Sequence, residues 1–135
     1  MSDIVTVAKD GNTYALFIPK GTPVDGIKFL TEQTSPMQVG LMERPAGHAV
    51  KAHQHPPQKF DVGRLSEFLY IEKGKIHVHV FDEEWKELAD QILNAGDFLV
   101  FLRGGHSIDM LEPTRMIEVK QGPFPGDKQS KSFRN

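Results

Sequence analysis

Two histidines stand one residue apart in the stretch KAHQHPPQKF, residues 51–60, as His53 and His55. Residues two positions apart on a β-strand share a face, with about 7 Å between their Cα atoms, so both imidazoles could reach one metal ion. The alternation puts Lys51 on the same face, and no apolar face competes with these residues for the interior. The pair therefore predicts either a solvent-exposed polar face or part of a metal site.

A second pair with the same spacing, His77 and His79 in GKIHVHVF, alternates with three apolar residues, Ile76, Val78 and Val80. On a strand that is half buried, the apolar face turns to the core and the other face turns to solvent. We therefore expect His77 and His79 to lie on the surface.

Two further residues with metal-binding side chains stand an even number of positions from apolar residues, so on a β-strand they would share a face with them. Glu67 has the parity of Leu69 and Ile71 in SEFLYIE, and His106 has the parity of Ile108 in HSIDML. Burying an unpaired carboxylate is costly, and coordination to a cation removes much of that cost. Imidazole and carboxylate ligands suit Fe, Mn, Ni, Cu, Zn or Co. The alternative is a buried network of His and Glu hydrogen bonds without a metal.

The elements that would position these residues are short apolar runs separated by turn sequences. Runs such as IVTVAK, EFLYIE, KIHVHVF and DFLVFL are punctuated by DGN, KG, NAGD and RGG. This pattern predicts an all-β fold with antiparallel strands, in a sandwich or barrel. DEEWKELAD is the one plausible helical piece, and a loop across a hairpin fits it equally well. We expect one domain over residues 1–120 and a Pro- and Gly-rich polar tail over residues 121–135.

Composition restricts the partners. The chain of 135 residues has a formal net charge of −2 and no cysteine. Nucleic-acid binders usually carry a clustered basic excess, so a nucleic-acid partner is not expected. No disulfide or thiolate site can form, and any metal must take nitrogen and oxygen ligands. Since no signal peptide or membrane span is visible, we expect a cytoplasmic protein with no membrane partner.

Glycines frame the candidate ligands in a recognisable order. The first group is Gly47, His53, His55, Glu67 and Gly74, and the second, in GDFLVFLRGGH, is Gly96, Gly104 and His106. Over residues 37–120 this order resembles the two motifs of the cupin superfamily, and the ending GGHSIDMLEPTRMIEVKQGPF resembles a group of small single-domain cupins of ill-defined function. The spacer PPQKFDVGRLS before Glu67 is longer than the family's, and Leu102 stands where the family often has proline.

The resemblance implies a jelly-roll (double-stranded β-helix) cupin barrel. It also implies that His53, His55, Glu67 and His106 turn inward to hold one divalent first-row transition metal ion. Cupins of this kind often pair through an edge strand or an exchanged N-terminal segment, and the apolar N-terminal hairpin would otherwise leave an exposed edge. We therefore expect a homodimer.

A metal with four protein ligands keeps positions open for a small molecule. Cations near the ligands, Lys51, Lys59 and Arg64, would favour an anionic or sugar-derived compound. The alternative for Lys59 and Arg64 is that they are solvated charges on a loop. This predicts a metal-dependent enzyme of the oxygenase, isomerase or lyase type. The alternatives are a non-catalytic cupin that binds or senses a small ligand, and a metal-free sugar-nucleotide isomerase or epimerase. The last would need a tyrosine near the pocket, and neither Tyr14 nor Tyr70 is expected there.

Overall fold

A computed structural model describes residues 3–123 and 125–135. The predicted domain and tail also include residues 1, 2 and 124, which lie outside the described residues. The chain divides into two compact units, one formed by residues 1–22 and 64–135 and the other by residues 23–63. The region with the cupin-like motifs contributes to both.

The described part of the larger unit contains eight strands. They are β1 (Val5–Lys9), β2 (Asn12–Ile18), β5 (Glu67–Lys73), β6 (Lys75–Phe81), β7 (Glu87–Asn94), β8 (Phe98–Phe101), β9 (Gly105–Met110) and β10 (Arg115–Lys120). They form a five-stranded sheet in the order β1-β2-β8-β5-β10 and a three-stranded sheet in the order β7-β6-β9. Every pairing in both sheets is antiparallel. The predicted all-β, antiparallel fold is therefore confirmed.

The turn residues act as their types predict. Asp10 and Gly11 form a two-residue loop between β1 and β2, and both have positive φ, at 51° and 77°. Asp-Gly is a favoured pair for such a loop because its twist matches that of the flanking strands. At Gly74, with φ 104°, the chain leaves β5 in one sheet and enters β6 in the other.

The inner faces of the two sheets share one hydrophobic core. Its members come from β1, β2, β5 and β8 on one side and from β6 and β7 on the other: Val7, Tyr14, Ala15, Phe17, Leu69, Ile71, Ile76, Val78, Val80, Leu93, Leu99 and Phe101. Burial of a large aliphatic side chain contributes about 1.5–3 kcal/mol, so this layer holds the sheets together. Ile76, Val78 and Val80 are fully buried, which confirms the parity predicted for β6.

The segment DEEWKELAD is not helical. Residues 83–84 form a turn between β6 and β7, and Glu87 already begins β7. Glu84 and Lys86 donate their backbone N–H groups to Asp82 Oδ1 at 2.9 Å each, which closes the turn. The short helix among the described residues is instead α1 (Asp127–Ser130), in the C-terminal tail.

The smaller unit contains a two-stranded antiparallel sheet of β3 (Gly26–Phe29) and β4 (Gly40–Glu43). The side-chain amide of Gln38 donates to the carbonyls of Glu32 and Ser35, both at 2.9 Å, and so orders the connecting loop. From residue 44 to residue 63 this unit contains no strand.

Candidate functional site

A cavity of about 680 Å³ lies within the larger unit. Its walls come from the start of β5, the turn after β6, the end of β8, the start of β9 and the C-terminal residues 131–134. Glu67, His106 and Arg64, three of the residues that the sequence singled out, all line it. This volume suits a small molecule.

Glu67 and His106 meet inside this cavity. The Nε2 atom of His106 lies 3.4 Å from Oε2 of Glu67, and their side chains are 30% and 18% exposed. Glu67 pairs in register with Phe101, and the Phe101 ring stacks on His106 at 3.7 Å between centroids with 3° between planes. Strand register and ring stacking therefore hold the carboxylate and the imidazole side by side.

The pKa of Glu67 is lowered from its ordinary value. The main cause is the hydrogen bond with His106, and partial burial opposes it. A carboxylate with a lowered pKa stays ionised at neutral pH. Glu67 and His106 thus offer one anionic oxygen ligand and one imidazole nitrogen ligand, which fits a divalent transition metal.

The turn after β6 supplies another part of the cavity wall. Asp82 is buried, receives the two backbone N–H groups of the turn and forms an ion pair with Lys9 at 2.6 Å. The turn places Glu83 and Trp85 in the cavity lining. Trp85 has φ 67°, an uncommon value for a residue with a side chain, and its ring lies against Gly105.

Glu83 is held by two residues whose role the sequence analysis missed. Tyr14 donates its hydroxyl to Oε1 of Glu83 at 2.5 Å, and Arg103 donates Nε–H to Oε2 at 2.6 Å. These bonds, that of Tyr14 first, lower the pKa of Glu83 to about 2. Tyr14, which was not expected near the pocket, therefore contacts a residue of the cavity wall without lining the cavity itself. No local signal could show this, because Tyr14 and Glu83 are 69 positions apart in the chain.

Positive charge dominates the remaining lining. Arg64, Lys131 and Arg134 line the cavity together with Glu67. Arg103 is paired with Glu83, and Lys131 is paired with Asp127 at 3.2 Å. The apolar part of the wall includes Phe81, Trp85, Phe101 and Phe133. Basic side chains of this kind pair with anionic groups, and aromatic side chains pack against apolar ones.

The other predicted site residues belong to the smaller unit. The strand expected around Lys51, His53 and His55 is not formed, and these residues and Lys59 are exposed. Pro56 and Pro57 follow directly, and proline lacks the N–H that a strand ladder needs. His53 Nδ1 lies 2.7 Å from the carbonyl oxygen of Lys51, and its ring is 5.1 Å from that of His55. Their part in a metal site stays a prediction.

His77 and His79 point away from the core, as predicted, and their side chains are 27% and 25% exposed. The structure adds a neighbour that the sequence did not indicate. Asp109 of β9 lies with the two histidines, such that one ligand atom from each falls within 4.8 Å of the others. The outer face of the three-stranded sheet therefore carries a second group of metal-binding side chains.

Comparisons of the chain with protein-family models, with curated proteins and with solved structures found no match. The cupin resemblance therefore stays a prediction from the motifs. Among residues 3–123 and 125–135, no helix has the length and apolar character needed to cross a bilayer.

Proposed function

We propose that the cavity around Glu67 and His106 binds a divalent first-row transition metal ion together with a small anionic molecule, in a jelly-roll cupin barrel. The contact between Glu67 and His106 is the observation that carries this proposal. It joins an ionised carboxylate and an imidazole inside a cavity of about 680 Å³. A bound ion would supply Lewis-acid chemistry or, as Fe(II), oxygenase chemistry.

The cavity residues have separate roles in this proposal. Glu67 and His106 hold the ion, and Arg64 attracts an anionic group of the ligand. Trp85 and Phe101 shield part of the cavity from water. The four-ligand prediction adds His53 and His55, with Lys51 and Lys59 as further cations for the ligand. The assignments of His53 and His55 rest on the motif resemblance, that of Lys51 on its shared parity with them, and that of Lys59 on its place in the long spacer.

Elemental analysis of metal-loaded protein tests the ligand set. Wild type and variants are incubated with Fe(II), Mn, Ni or Zn and then dialysed. Glu67→Gln and His106→Gln should each retain one metal equivalent per chain fewer than wild type. The double variant His53→Ala/His55→Ala tests the motif-based ligands in the same way. His48→Ala, an exposed histidine outside the proposed set, is the matched control. Metal content equal to wild type in Glu67→Gln and His106→Gln would overturn the proposal.

A metal-dependent enzyme and a non-catalytic binding protein both fit this cavity. We favour the enzyme, of the oxygenase, isomerase or lyase type, because a metal that keeps open coordination positions can bind and activate a substrate. Screening metal-loaded protein against small hydroxy- and oxo-acids should show turnover that stops in His106→Gln. Tight binding without turnover would support the binding protein instead.

The position of Tyr14 bears on the alternative of a metal-free isomerase, which needs a tyrosine near the pocket. Its hydroxyl is beside the cavity, but it donates to Glu83, and this bond raises the pKa of Tyr14. A tyrosine with a raised pKa is a weaker acid at neutral pH, which disfavours acid–base work by this group. The metal-dependent proposal is therefore preferred.

A homodimer remains part of the proposal. β1 is an edge of the five-stranded sheet, and edge strands present unpaired backbone groups to a second chain. Gel filtration with light scattering should give twice the chain mass of 15.2 kDa. A monomer would remove this part of the proposal and leave the cavity unaffected.

A further inference from the structure

The outer face of the three-stranded sheet gathers five metal-binding side chains from three adjacent strands. His77 and His79 lie on β6, the central strand. The register places Asp109 of β9 opposite His77, and Asp90 of β7 opposite His79. Glu87 begins β7 and contacts His79. We call these five residues the outer cluster.

The side chains of His77, His79 and Asp109 in the outer cluster lie close together. The rings of His77 and His79 lie 4.2 Å apart between centroids. His79 Nε2 lies 3.9 Å from Oδ2 of Asp109. One ligand atom from each of these three residues falls within 4.8 Å of the others. Ligand atoms about 2 Å from one ion lie at most about 4 Å apart, so small side-chain rotations would bring these three atoms onto one ion.

Two more carboxylates contact ring nitrogens of the two histidines. Glu87 contacts Nδ1 of His79, which leaves Nε2 of the same ring facing Asp109. Asp90 Oδ2 contacts Nε2 of His77 at 2.7 Å. Carboxylates that hold the second nitrogen of a histidine fix the orientation of its ring and raise its basicity as a ligand. Glu87 and Asp90 thus stand where orienting groups stand in metal sites.

The strand beneath the outer cluster is firmly anchored. Ile76, Val78 and Val80, which alternate with the two histidines, are fully buried in the core. This fixes the backbone from which both imidazoles project, so little ordering remains to be done when an ion binds. Three carboxylates on one small surface also give a negative potential that attracts cations.

We propose that the outer cluster is a binding site for one borderline divalent transition metal ion such as Zn²⁺, with His77, His79 and Asp109 as ligands. Two imidazoles and one carboxylate match the ligand types that Zn²⁺ accepts, and solvent would complete the coordination. Glu87 and Asp90 are positioning residues for the histidine rings. None of the five residues of the outer cluster belongs to the lining of the cavity, so the two proposed sites share no ligand.

Zinc titration followed by NMR tests the proposal on the full chain. With substoichiometric Zn²⁺, the imidazole nitrogen resonances of His77 and His79 should shift, and one equivalent should saturate them. In His77→Ala/His79→Ala and in Asp109→Asn, calorimetry should show one high-affinity equivalent fewer than in wild type. Asp90→Asn should retain the site with about tenfold weaker affinity.

Controls separate this site from the cavity. The variant Glu67→Gln/His106→Gln should keep the zinc response of His77 and His79, whatever happens to metal in the cavity. His48→Ala should behave as wild type. Unchanged zinc stoichiometry and affinity in His77→Ala/His79→Ala would overturn the proposal, as would a saturating Zn²⁺ titration that leaves both imidazole signals unmoved. Circular dichroism checks that each variant is folded, which is expected because the replaced side chains lie outside the core.

Discussion

The Nε2 atom of His106 and the Oε2 atom of Glu67 lie 3.4 Å apart, although 39 positions separate the two residues in the chain. β5 and β9 belong to different sheets, so the contact joins the two layers at one end of the core. A carboxylate and an imidazole on facing sheets can share an ion without bending either strand. This contact is the structural basis of the proposed cavity site.

Trp85 is the single tryptophan of the chain and lines the same cavity, so its fluorescence should report ligand binding there. We expect oxalate, a small dianionic chelator, to change the emission of metal-loaded protein. Arg64→Gln should weaken the apparent oxalate affinity by about tenfold or more, because one charge-assisted contact is lost. Arg115→Gln, an exposed arginine paired with Glu72, is the control and should bind as wild type. Equal affinity in all three proteins would exclude Arg64 from anion binding.

The bond between Tyr14 and Glu83 should make the effect of Tyr14→Phe depend on pH. The folded-state pKa of Glu83 is lowered from 4.5 to about 2, chiefly by this bond. A lowered pKa contributes stability that is complete above the unfolded value and is lost as the pH falls through the folded value. Tyr14→Phe should therefore lower the melting temperature most at pH 6–7, with the difference shrinking between about pH 4.5 and pH 2. A difference that stays constant over this range would contradict the assignment, and Tyr70→Phe serves as the control.

Alanine substitutions at two glycines with nearly the same φ distinguish the cost of backbone strain from the cost of a steric collision. Gly11 and Gly104 have φ of 77° and 76°. A Cβ at Gly11 would meet nothing within 4 Å, whereas at Gly104 it would come within 2.3 Å of the backbone oxygen of Phe81. Gly11→Ala should cost about 1–2 kcal/mol. Gly104→Ala should cost distinctly more, because a backbone atom must also move, and urea denaturation should show the order. An equal loss of unfolding free energy in both variants would show that the chain moves to relieve the collision at Gly104.

The strand parities show what a sequence can predict. The alternation in GKIHVHVF gave the buried and outward faces of β6 correctly, and the parity of Glu67 with Leu69 gave its partly buried position. These features depend on neighbours along one strand. The same reasoning was wrong about a strand at His53, because two prolines follow and no partner strand forms there.

Contacts between distant segments of the chain could not be predicted from the sequence. The bond from Tyr14 to Glu83 and the approach of Asp109 to His79 depend on sheet order and register. Alternation gives the face of a residue but not which strand lies beside it. The candidate ligands Glu67 and His106 could therefore be named from the sequence, while the orienting residues of both sites could not.

Leu99 and Leu111 provide a test of where the core lies. Leu99 is fully buried between the sheets, and Leu111 follows β9 and is 49% exposed. Leu99→Ala should lower the free energy of unfolding by about 2–5 kcal/mol through lost burial and the cavity left behind. Leu111→Ala should change it by about 1 kcal/mol or less, since its side chain is half in water. Denaturant unfolding that ranked the two variants in the opposite order would contradict the described packing.

The C-terminal residues should limit access to Trp85. Residues 131–134 line the cavity, and the Arg134 guanidinium lies 4.8 Å from the centroid of the Phe81 ring. Ending the chain after residue 130 would remove this part of the wall and expose the indole. The acrylamide quenching constant of Trp85 should therefore rise relative to the full chain. Ending the chain after residue 134 removes Asn135 alone, which is outside the lining, and should leave quenching unchanged. If the shorter chain, still folded by circular dichroism, is quenched no more than the full one, the tail does not cover the cavity in solution.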